Sequence, residues 1–199
     1  MTEWIVLREK IESKFPALTD VINNESDVES LNKIADLVGN TLPQSFVSIY
    51  ANCDGQFRTK AGFVFGLSLL STEKIIHELN VWREIIDQGL EGLNESCSSL
   101  TPSAIKIEYA NTKWLPLLGD GGGNFIGVDF DPGPTGTKGQ IINFGRDEDD
   151  KCVFAKSLDD FLVLLTELLN SPSLVEEEDG SYSYNHTHFI DALKELSQK

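Results

Sequence analysis

Residues 114–150, WLPLLGDGGGNFIGVDFDPGPTGTKGQIINFGRDEDD, carry the clearest structural pattern in this chain. Its apolar runs are short, contain aromatic or β-branched residues, and are separated by Gly, Asp, Asn or Pro, which is the pattern of strands joined by turns. We therefore predict an antiparallel meander over this segment. The turns concentrate carboxylates, and the segment contains no serine, histidine or cysteine, so its chemistry favours binding over catalysis.

The sequence on either side of the meander adds helices and further strands. Apolar residues recur at helical spacing in the N-terminal third, where Ser26 and Glu29 have capping-box spacing, and again over 72–88 and after Ser157. We predict strands mainly within 61–70 and 104–156, a surface loop at 89–103, and an acidic connector with a terminal helix over 172–199. The order of elements indicates an α+β class, in which an antiparallel sheet packs against N-terminal, central and C-terminal helices in a single domain, 1–199.

Length and composition limit the functional classes. The chain has 199 residues, 40% of them hydrophobic, with a formal net charge of −16 and a pI near 4.4. It lacks both a bilayer-length apolar run and a signal-peptide pattern, so we expect a cytoplasmic protein. Cys53, Cys97 and Cys152 have no metal-ligand spacing, and we expect them to be reduced. The acidity argues against nucleic acid or an anionic membrane as partner. It is compatible with a basic protein partner, or simply with solubility.

Four separated motifs carry a resemblance to a known family. They are LPQSFVSIYANCDGQ (42–56), WLPLLGDGGGNFIGVDFDP (114–132), QIINFGRDED (140–149) and SLDDFLVLL (157–165). In this order they resemble the SUKH superfamily, in particular its Smi/Knr group, over about residues 40–170. Asn124 departs from the pattern, because the family often has an acidic residue there, and both 89–103 and the tail after 172 lie outside it. The matching residues are Leu42, Pro43, Phe46, Tyr50, Asn52, Gly55, Trp114, Pro116, Asp120, Gly122, Gly123, Asp129, Asp131 and Pro132.

The resemblance also implies a function. It implies a non-enzymatic binding protein without a cofactor, built on an antiparallel sheet with helices against it. For bacterial members it implies an immunity protein that binds and neutralises a cognate toxin, often one that acts on nucleic acid, and this is the leading interpretation. The alternative is a regulatory scaffold that docks cellular partners, as the role of the yeast cell-wall-assembly regulators suggests.

Candidate partner-binding residues are the tryptophan and the carboxylates of the meander. Trp114 is expected in the core or, as an interface anchor, at the rim of a groove. The acidic segment 147–150 is either a solvated hairpin turn or a rim that attracts a basic toxin. The full set is Trp114, Asp120, Asp129, Asp131, Asp147, Glu148, Asp149 and Asp150.

A metal site and a phosphate site are the sharper chemical alternatives. Asp120, Asp129 and Asp131 could supply oxygen ligands to a hard cation, but DFDPGPTG lacks the alternating acids and terminal Glu of an EF-hand. We therefore expect no metal, and we expect Asp120 and Asn124 to brace a tight turn through hydrogen bonds to the backbone. GDGGG lacks the Lys-Ser/Thr of a P-loop and precedes a strand, which excludes a phosphate cradle.

An enzyme also has little support in the sequence. The chain contains no G-x-S-x-G nucleophile motif, no HExxH motif and no Cys/His pairing. His77 belongs to a helical pattern, and His186 and His188 belong to the tail, so none is marked as a catalytic base. Acid–base chemistry by paired carboxylates is the alternative that the residues leave open.

Overall fold

The structure, a computed structural model, describes residues 2–57, 62–178 and 180–198. Its helices are α1 (Glu3–Lys14), α2 (Val28–Val38), α3 (Gln44–Tyr50), α4 (Thr72–Gln88), α5 (Leu158–Leu168) and α6 (Phe189–Ser197). Its strands are β1 (Ser68–Leu69), β2 (Ser98–Ser99), β3 (Trp114–Gly119), β4 (Asn124–Asp129), β5 (Gln140–Gly145), β6 (Asp150–Lys151), β7 (Val153–Ala155), β8 (Leu174–Glu176) and β9 (Tyr182–Tyr184). The predicted α+β class is confirmed.

The predicted meander forms the middle of a five-stranded antiparallel sheet with the order β1-β3-β4-β5-β7. Trp114 pairs with Asp129 at one end of the β3–β4 hairpin, and Gly119 pairs with Phe125 at the other. Every residue of β3, β4 and β5 is buried. Helix α4 packs against β3, α5 packs against β5 and β7, and α6 packs against β7, so the core lies between the sheet and these helices.

Several helix ends follow the capping chemistry of the sequence. The hydroxyl of Ser71 accepts a hydrogen bond from the backbone N–H three residues on at 3.2 Å, and Ser157 does the same for α5 at 3.1 Å. Gly39 ends α2 in the left-handed conformation, with φ at 62°, as expected for a glycine C-cap. None of the helices in the described part of the chain has the length and apolar character needed to cross a membrane.

The start of α2 differs from the prediction, because Ser26 does not form a capping box. The helix begins at Val28, and the carboxylate of Asp27 accepts the hydrogen bond of the Ser30 N–H at 2.7 Å. Ser26 instead donates from both its backbone N–H and its hydroxyl to the Tyr50 carbonyl, each at 3.0 Å. This contact ties the start of α2 to the end of α3, and local spacing cannot reveal it.

The strand regions are shorter than predicted. Of 61–70, only Ser68–Leu69 is a strand, and position 61 lies outside the described residues. Residues 63–67 form a buried turn in which Gly66 has φ at 90°. A Cβ on Gly66 would lie 2.3 Å from the carbonyl oxygen of Tyr182, so the chain reverses directly against β9. Residues 104–113 are turns and loop, and the sheet resumes only at Trp114.

Two segments expected to be loops contain short strands. The connector after 172 holds an antiparallel hairpin in which Leu174 of β8 pairs with Tyr184 of β9. Tyr182 is buried and its ring lies 4.4 Å from that of Phe15, so this hairpin packs on the N-terminal region. Within 89–103, β2 pairs in parallel with β6. The predicted terminal helix is present as α6.

Candidate functional site

Trp114 and Asp129 form a buried brace where β3 begins and β4 ends. Trp114 is 1% exposed and Asp129 is 0% exposed. The Asp129 carboxylate accepts hydrogen bonds from the Trp114 indole at 3.1 Å, from the Gln140 amide at 2.9 Å and from the Asp131 N–H at 2.8 Å. Burial raises the pKa of Asp129, while these donors oppose that rise. Trp114 therefore lies in the core, the first of the two positions that the sequence allowed, and contact of Trp114 or Asp129 with a partner stays a prediction.

Asp131 anchors the loop that precedes the sheet. Its carboxylate accepts a hydrogen bond from Asn111 at 3.0 Å and pairs with the Lys106 ammonium at 2.6 Å. The hydrogen bond from Asn111 and then the contact with Lys106 lower the pKa of Asp131. Because Asp131 is only half-buried and its partner Lys106 is 42% exposed, solvent screens this ion pair, and we regard it as a contact that fixes the loop rather than a large contribution to stability.

The three aspartates considered as metal ligands do not converge. Asp120 follows the last residue of β3, whereas Asp129 pairs with the first residue of that six-residue strand. The two carboxylates therefore lie about 20 Å apart at a rise of ~3.3 Å per residue. Across residues 2–57, 62–178 and 180–198, no group of three or more His, Cys, Asp or Glu side chains is arranged to hold a metal ion.

Asp120 organises the glycine turn between β3 and β4, as the sequence predicts. One carboxylate oxygen accepts hydrogen bonds from the backbone N–H of Gly122 at 2.6 Å and of Asn124 at 3.1 Å. The other accepts the Asn124 side-chain amide at 2.8 Å. Asn124 in turn accepts the Asp147 N–H at 2.8 Å, which joins this turn to the next hairpin. Gly121 and Gly123 have φ at 81° and 101°, so the turn requires glycine at both positions.

The acidic segment 147–150 is only partly available to a partner. Glu148 is 6% exposed, pairs with Lys194 of α6 at 2.7 Å, and also accepts a hydrogen bond from the Asn143 amide. Burial disfavours the charged form of Lys194, but the hydrogen bond from Lys194 to Glu148 leaves its pKa raised. Glu148 therefore fastens α6 to the sheet, so its carboxylate already has partners within the fold, and its contact with another protein stays a prediction. Asp147 and Asp150 are exposed, and Asp149 is half-buried.

Lys151 lies buried beneath this acidic segment. It is 0% exposed, its ammonium donates to the Glu148 carbonyl at 2.9 Å, and it lies 5.5 Å from the centre of the Trp114 ring. Burial lowers the pKa of Lys151. The nearby Cys97 sulfur, 3.9 Å from the ammonium, accepts a weak hydrogen bond. The acidic turn is thus held in place by two lysines, one beneath it and one from α6.

Beside the glycine turn, the structure forms a groove of about 460 Å³, which we call the glycine-turn groove. Phe57 stands on its rim with 57% of its surface exposed, and Lys74 pairs with Glu78 at 2.6 Å along its α4 side. Its lining residues are Gln56, Phe57, Ser68, Leu69, Leu70, Ser71, Lys74, Glu78, Gly119, Gly121, Gly123 and Phe125. The sequence does not reveal this groove, because its walls come from separate segments and Phe57 belongs to no recognisable motif.

The matching motif around 42–56 builds the wall behind this groove. The Tyr50 hydroxyl donates to the Leu70 carbonyl at 2.7 Å, and its ring lies 4.7 Å from that of Phe46. A Cβ on Gly55 would lie 2.4 Å from the Ser71 backbone nitrogen, so only glycine permits this approach. Burial raises the pKa of Tyr50, which keeps the phenol protonated as a donor. Gln56 at the end of the motif lines the groove, whereas Phe46, Tyr50 and Gly55 support it from behind.

Comparison with known proteins places this framework in a family. The SMI1 / KNR4 family (SUKH-1) model matches residues 26–163. The chain is 37% identical over 172 residues to the cell wall biosynthesis/cell cycle regulator smi1 of Schizosaccharomyces pombe, covering 78% of this chain and 33% of that protein. It is 31% identical over 212 residues to the glucan synthesis regulatory protein of Neurospora crassa, covering 89% of this chain and 40% of that protein.

A third relative is the cell wall assembly regulator SMI1 of Saccharomyces cerevisiae, 30% identical over 153 residues, which cover 62% of this chain and 30% of that protein. The chain spans about a third of the length of the curated relatives it matches. These relatives are named as regulators, and none of the three names describes an enzyme or an immunity protein. The matched framework and the extent of these similarities lead to one conclusion: the chain belongs to the SMI1/KNR4 family (SUKH-1).

Proposed function

We propose that this chain is a non-enzymatic regulatory module of the cytoplasm that docks a partner protein in the glycine-turn groove. The observation that carries the proposal is a preformed groove with an exposed aromatic, Phe57, facing a rim of glycines that expose their backbone. Interfaces draw much of their binding free energy from such aromatic anchors. A rigid groove also lowers the conformational entropy that is lost on binding.

The walls of the groove support binding of an extended segment of the partner. Gly121 has no heavy atom within 4 Å of the position that a Cβ would take, so its backbone is open to a partner, and Leu70 and Phe125 supply apolar surface at the floor. The hydrogen bonds of Asp120 hold the glycine rim in one conformation before any partner arrives. An apolar side chain of the partner would sit on the floor, while its backbone contacts the glycine rim.

The charge of the chain supports a basic partner. With a formal net charge of −16, the protein attracts positively charged surfaces at long range and accelerates their association. The names of the relatives favour the regulatory alternative over toxin neutralisation. We therefore propose a basic segment of a cellular protein as the partner, and we do not extend the proposal to a toxin.

A domain exchange tests this function. In fission yeast lacking smi1, the segment of smi1 that matches this chain would be replaced by this chain within the full-length relative. We expect the chimera to restore resistance to a cell-wall-digesting glucanase. The same chimera with Phe57→Ala should lose most of that resistance at equal protein level, because the exposed anchor is removed without disturbing the core.

Val163→Ala provides the matched control, since Val163 is 41% exposed on α5, away from the groove. This variant should protect as well as the unmodified chimera. If the Phe57→Ala chimera protects as well as the unmodified chimera, the partner does not bind in the glycine-turn groove. A well-expressed unmodified chimera that gives no resistance would contradict the regulatory function itself.

A further inference from the structure

Cys97 and Lys151 form a buried thiol–amine pair that the proposed function does not use. The Lys151 ammonium lies 3.9 Å from the Cys97 sulfur, although the two residues are 54 positions apart in the sequence. Cys97 is 9% exposed and Lys151 is 0% exposed, so both groups lie inside the fold. A nucleophilic sulfur and an amine thus share one enclosed position.

Parallel pairing of β2 with β6 holds the two side chains next to each other. After the cysteine, the Leu100 N–H donates to the Lys151 carbonyl at 2.8 Å. Before it, the Ser96 hydroxyl donates to the Asp149 carboxylate at 3.0 Å. The loop that carries Cys97 is therefore fastened to the strand that carries Lys151 on both sides of the sulfur.

Lys151 lacks the carboxylate partner that a fully buried lysine normally has. None of the ion pairs within residues 2–57, 62–178 and 180–198 includes it. Its ammonium donates to the Glu148 carbonyl at 2.9 Å and weakly to the Cys97 sulfur. Burial lowers the pKa of Lys151, because removal from water disfavours the ammonium. A lysine with a lowered pKa offers more of the neutral amine, which is the nucleophilic form.

Cys97 is the cysteine that a small oxidant reaches most easily. It is 9% exposed, whereas Cys53 and Cys152 are both 0% exposed. Its neighbours Ser96 and Ser98 are exposed, so the sulfur lies directly beneath the surface of the loop. Hydrogen peroxide is small and neutral, and it should therefore oxidise Cys97 before the other two thiols.

We propose that Cys97 is a site of oxidation by hydrogen peroxide and that Lys151 is its resolving amine. In the first step the sulfur attacks peroxide, the O–O bond breaks, and a sulfenic acid and one water form. In the second step the Lys151 amine attacks the sulfenic sulfur. An S–N bond forms, the S–O bond breaks, and the hydroxyl leaves as a second water with a proton from the amine. The sulfur loses two electrons, and one peroxide becomes two waters.

The S–N bridge keeps the oxidation of Cys97 reversible. A sulfenic acid that is not consumed proceeds to sulfinic and sulfonic acids, which thiols do not reduce, whereas a thiol reopens the S–N bond. The flexible four-carbon stem of Lys151 allows its nitrogen to close the distance to the sulfur. The bridge also locks the loop 89–103 to β6. This inference does not rest on the glycine-turn groove.

Mass spectrometry of the full chain after treatment with hydrogen peroxide tests the proposal. We expect the intact mass to fall by about 2 Da, because the bridge forms with the loss of two hydrogens. A proteolytic digest should contain the peptides of Cys97 and Lys151 joined to each other. Dithiothreitol should separate these peptides and restore the original intact mass.

Two lysine variants then test the role of the amine. Lys151→Met removes the amine and keeps an unbranched apolar stem in the core. Its Cys97 should gain about 32 and 48 Da as the sulfinic and sulfonic acids, at least about fivefold more often than in the unmodified chain. Lys156→Met is the matched control, because Lys156 is exposed and five positions further along, and it should form the bridge normally. The joined peptides of the unmodified chain decide the question even if Lys151→Met does not fold.

Three outcomes would overturn the proposal. If Cys97 stays reduced when glutathione in the same solution is fully oxidised, peroxide does not reach the sulfur. Equal amounts of sulfinic and sulfonic acid in the unmodified chain and in Lys151→Met would show that Lys151 does not consume the sulfenic acid. A peptide of Cys97 joined to that of Cys53 or Cys152 would assign the resolving role to a thiol.

Discussion

The hydrogen-bond polarity of the glycine turn leads to a sharp prediction for Asp120 and Asn124. One Asp120 oxygen accepts the Asn124 amide at 2.8 Å, while the Asn124 carbonyl oxygen accepts the Asp147 N–H at 2.8 Å. Asp120→Asn replaces that acceptor with an amide facing another amide. Rotating Asn124 to compensate would turn its own amide toward the Asp147 N–H. Neither orientation satisfies both contacts.

The loss of unfolding free energy in each single variant follows from the hydrogen-bonding group that the change leaves without a partner. Asp120→Asn loses a charge-assisted hydrogen bond to a side chain that is 8% exposed, which should cost about 1–2 kcal/mol. Asn124→Asp places two carboxylates within hydrogen-bonding distance of each other and should cost about 2–3 kcal/mol. The exchange Asp120→Asn/Asn124→Asp restores a donor facing an acceptor and leaves the formal charge unchanged. It should lie within about 1 kcal/mol of the original chain.

Urea unfolding at pH 7, followed by fluorescence of the buried tryptophans, measures all three variants. The two single changes should lower the unfolding midpoint at unchanged slope, and the double change should recover most of the loss. The resulting coupling free energy should be about 2–5 kcal/mol. In thermal unfolding, Asp120→Asn alone should lower Tm by about 2–8 °C for a chain of this size.

Additive unfolding free energies of the Asp120→Asn and Asn124→Asp changes would contradict the hydrogen bond between these two side chains. If the coupling free energy is below about 0.5 kcal/mol, the two side chains do not form the hydrogen bond on which the prediction depends. The exposed neighbour Asp147 provides an internal control. Its side chain is 68% exposed, so Asp147→Asn should change the unfolding free energy by less than about 0.5 kcal/mol.

Three further predictions test the interior. Gly127→Ala should destabilise the fold by more than about 3 kcal/mol, because a Cβ there would lie 2.0 Å from the Leu115 carbonyl oxygen. A soluble variant with an unchanged midpoint of urea unfolding would contradict this. The lowered pKa of Asp131 means that its carboxylate stabilises the fold above its ordinary value of 3.8, and that this contribution is lost as pH falls through the lowered value. Asn111→Ala should move the Asp131 pKa back up in a carboxyl NMR titration, and an unchanged pKa would exclude Asn111 as its main cause. Burial raises the pKa of Cys53 to about 11, so this thiol should resist a disulfide reagent at pH 8 until urea unfolds the chain, and rapid native labelling would contradict its burial.

Local sequence was a good guide wherever neighbours along the chain decide the structure. The bounds of α1 and α4 follow from helical periodicity and, for α4, from the Ser71 cap. The strands of the meander follow from short apolar runs between glycine and aspartate turns. Asp120 could be assigned to the turn, because its hydrogen-bond partners lie two and four residues away.

Local sequence failed where two segments compete for the same group. Ser26 has the spacing of a helix cap, but the Tyr50 carbonyl takes its hydroxyl, and Asp27 caps the helix instead. Residues 63–67 have the composition of a strand, but Gly66 packs against the Tyr182 carbonyl and the chain turns. Tertiary contacts of this kind outweigh propensity differences that amount to about 1 kcal/mol or less.

The α+β class, the glycine turn, the family motifs and the strongly acidic charge can therefore be read from the amino-acid sequence. Which acidic and aromatic side chains remain available for binding depends on contacts between segments that are distant along the chain. The Trp114 indole donates a hydrogen bond to Asp129, and Glu148 forms an ion pair with Lys194. Buried polar groups take such partners within the fold, because leaving them without a hydrogen bond costs free energy. The glycine-turn groove arises where segments distant in sequence meet, and the shape between such segments is a property of packing that no single stretch of sequence contains.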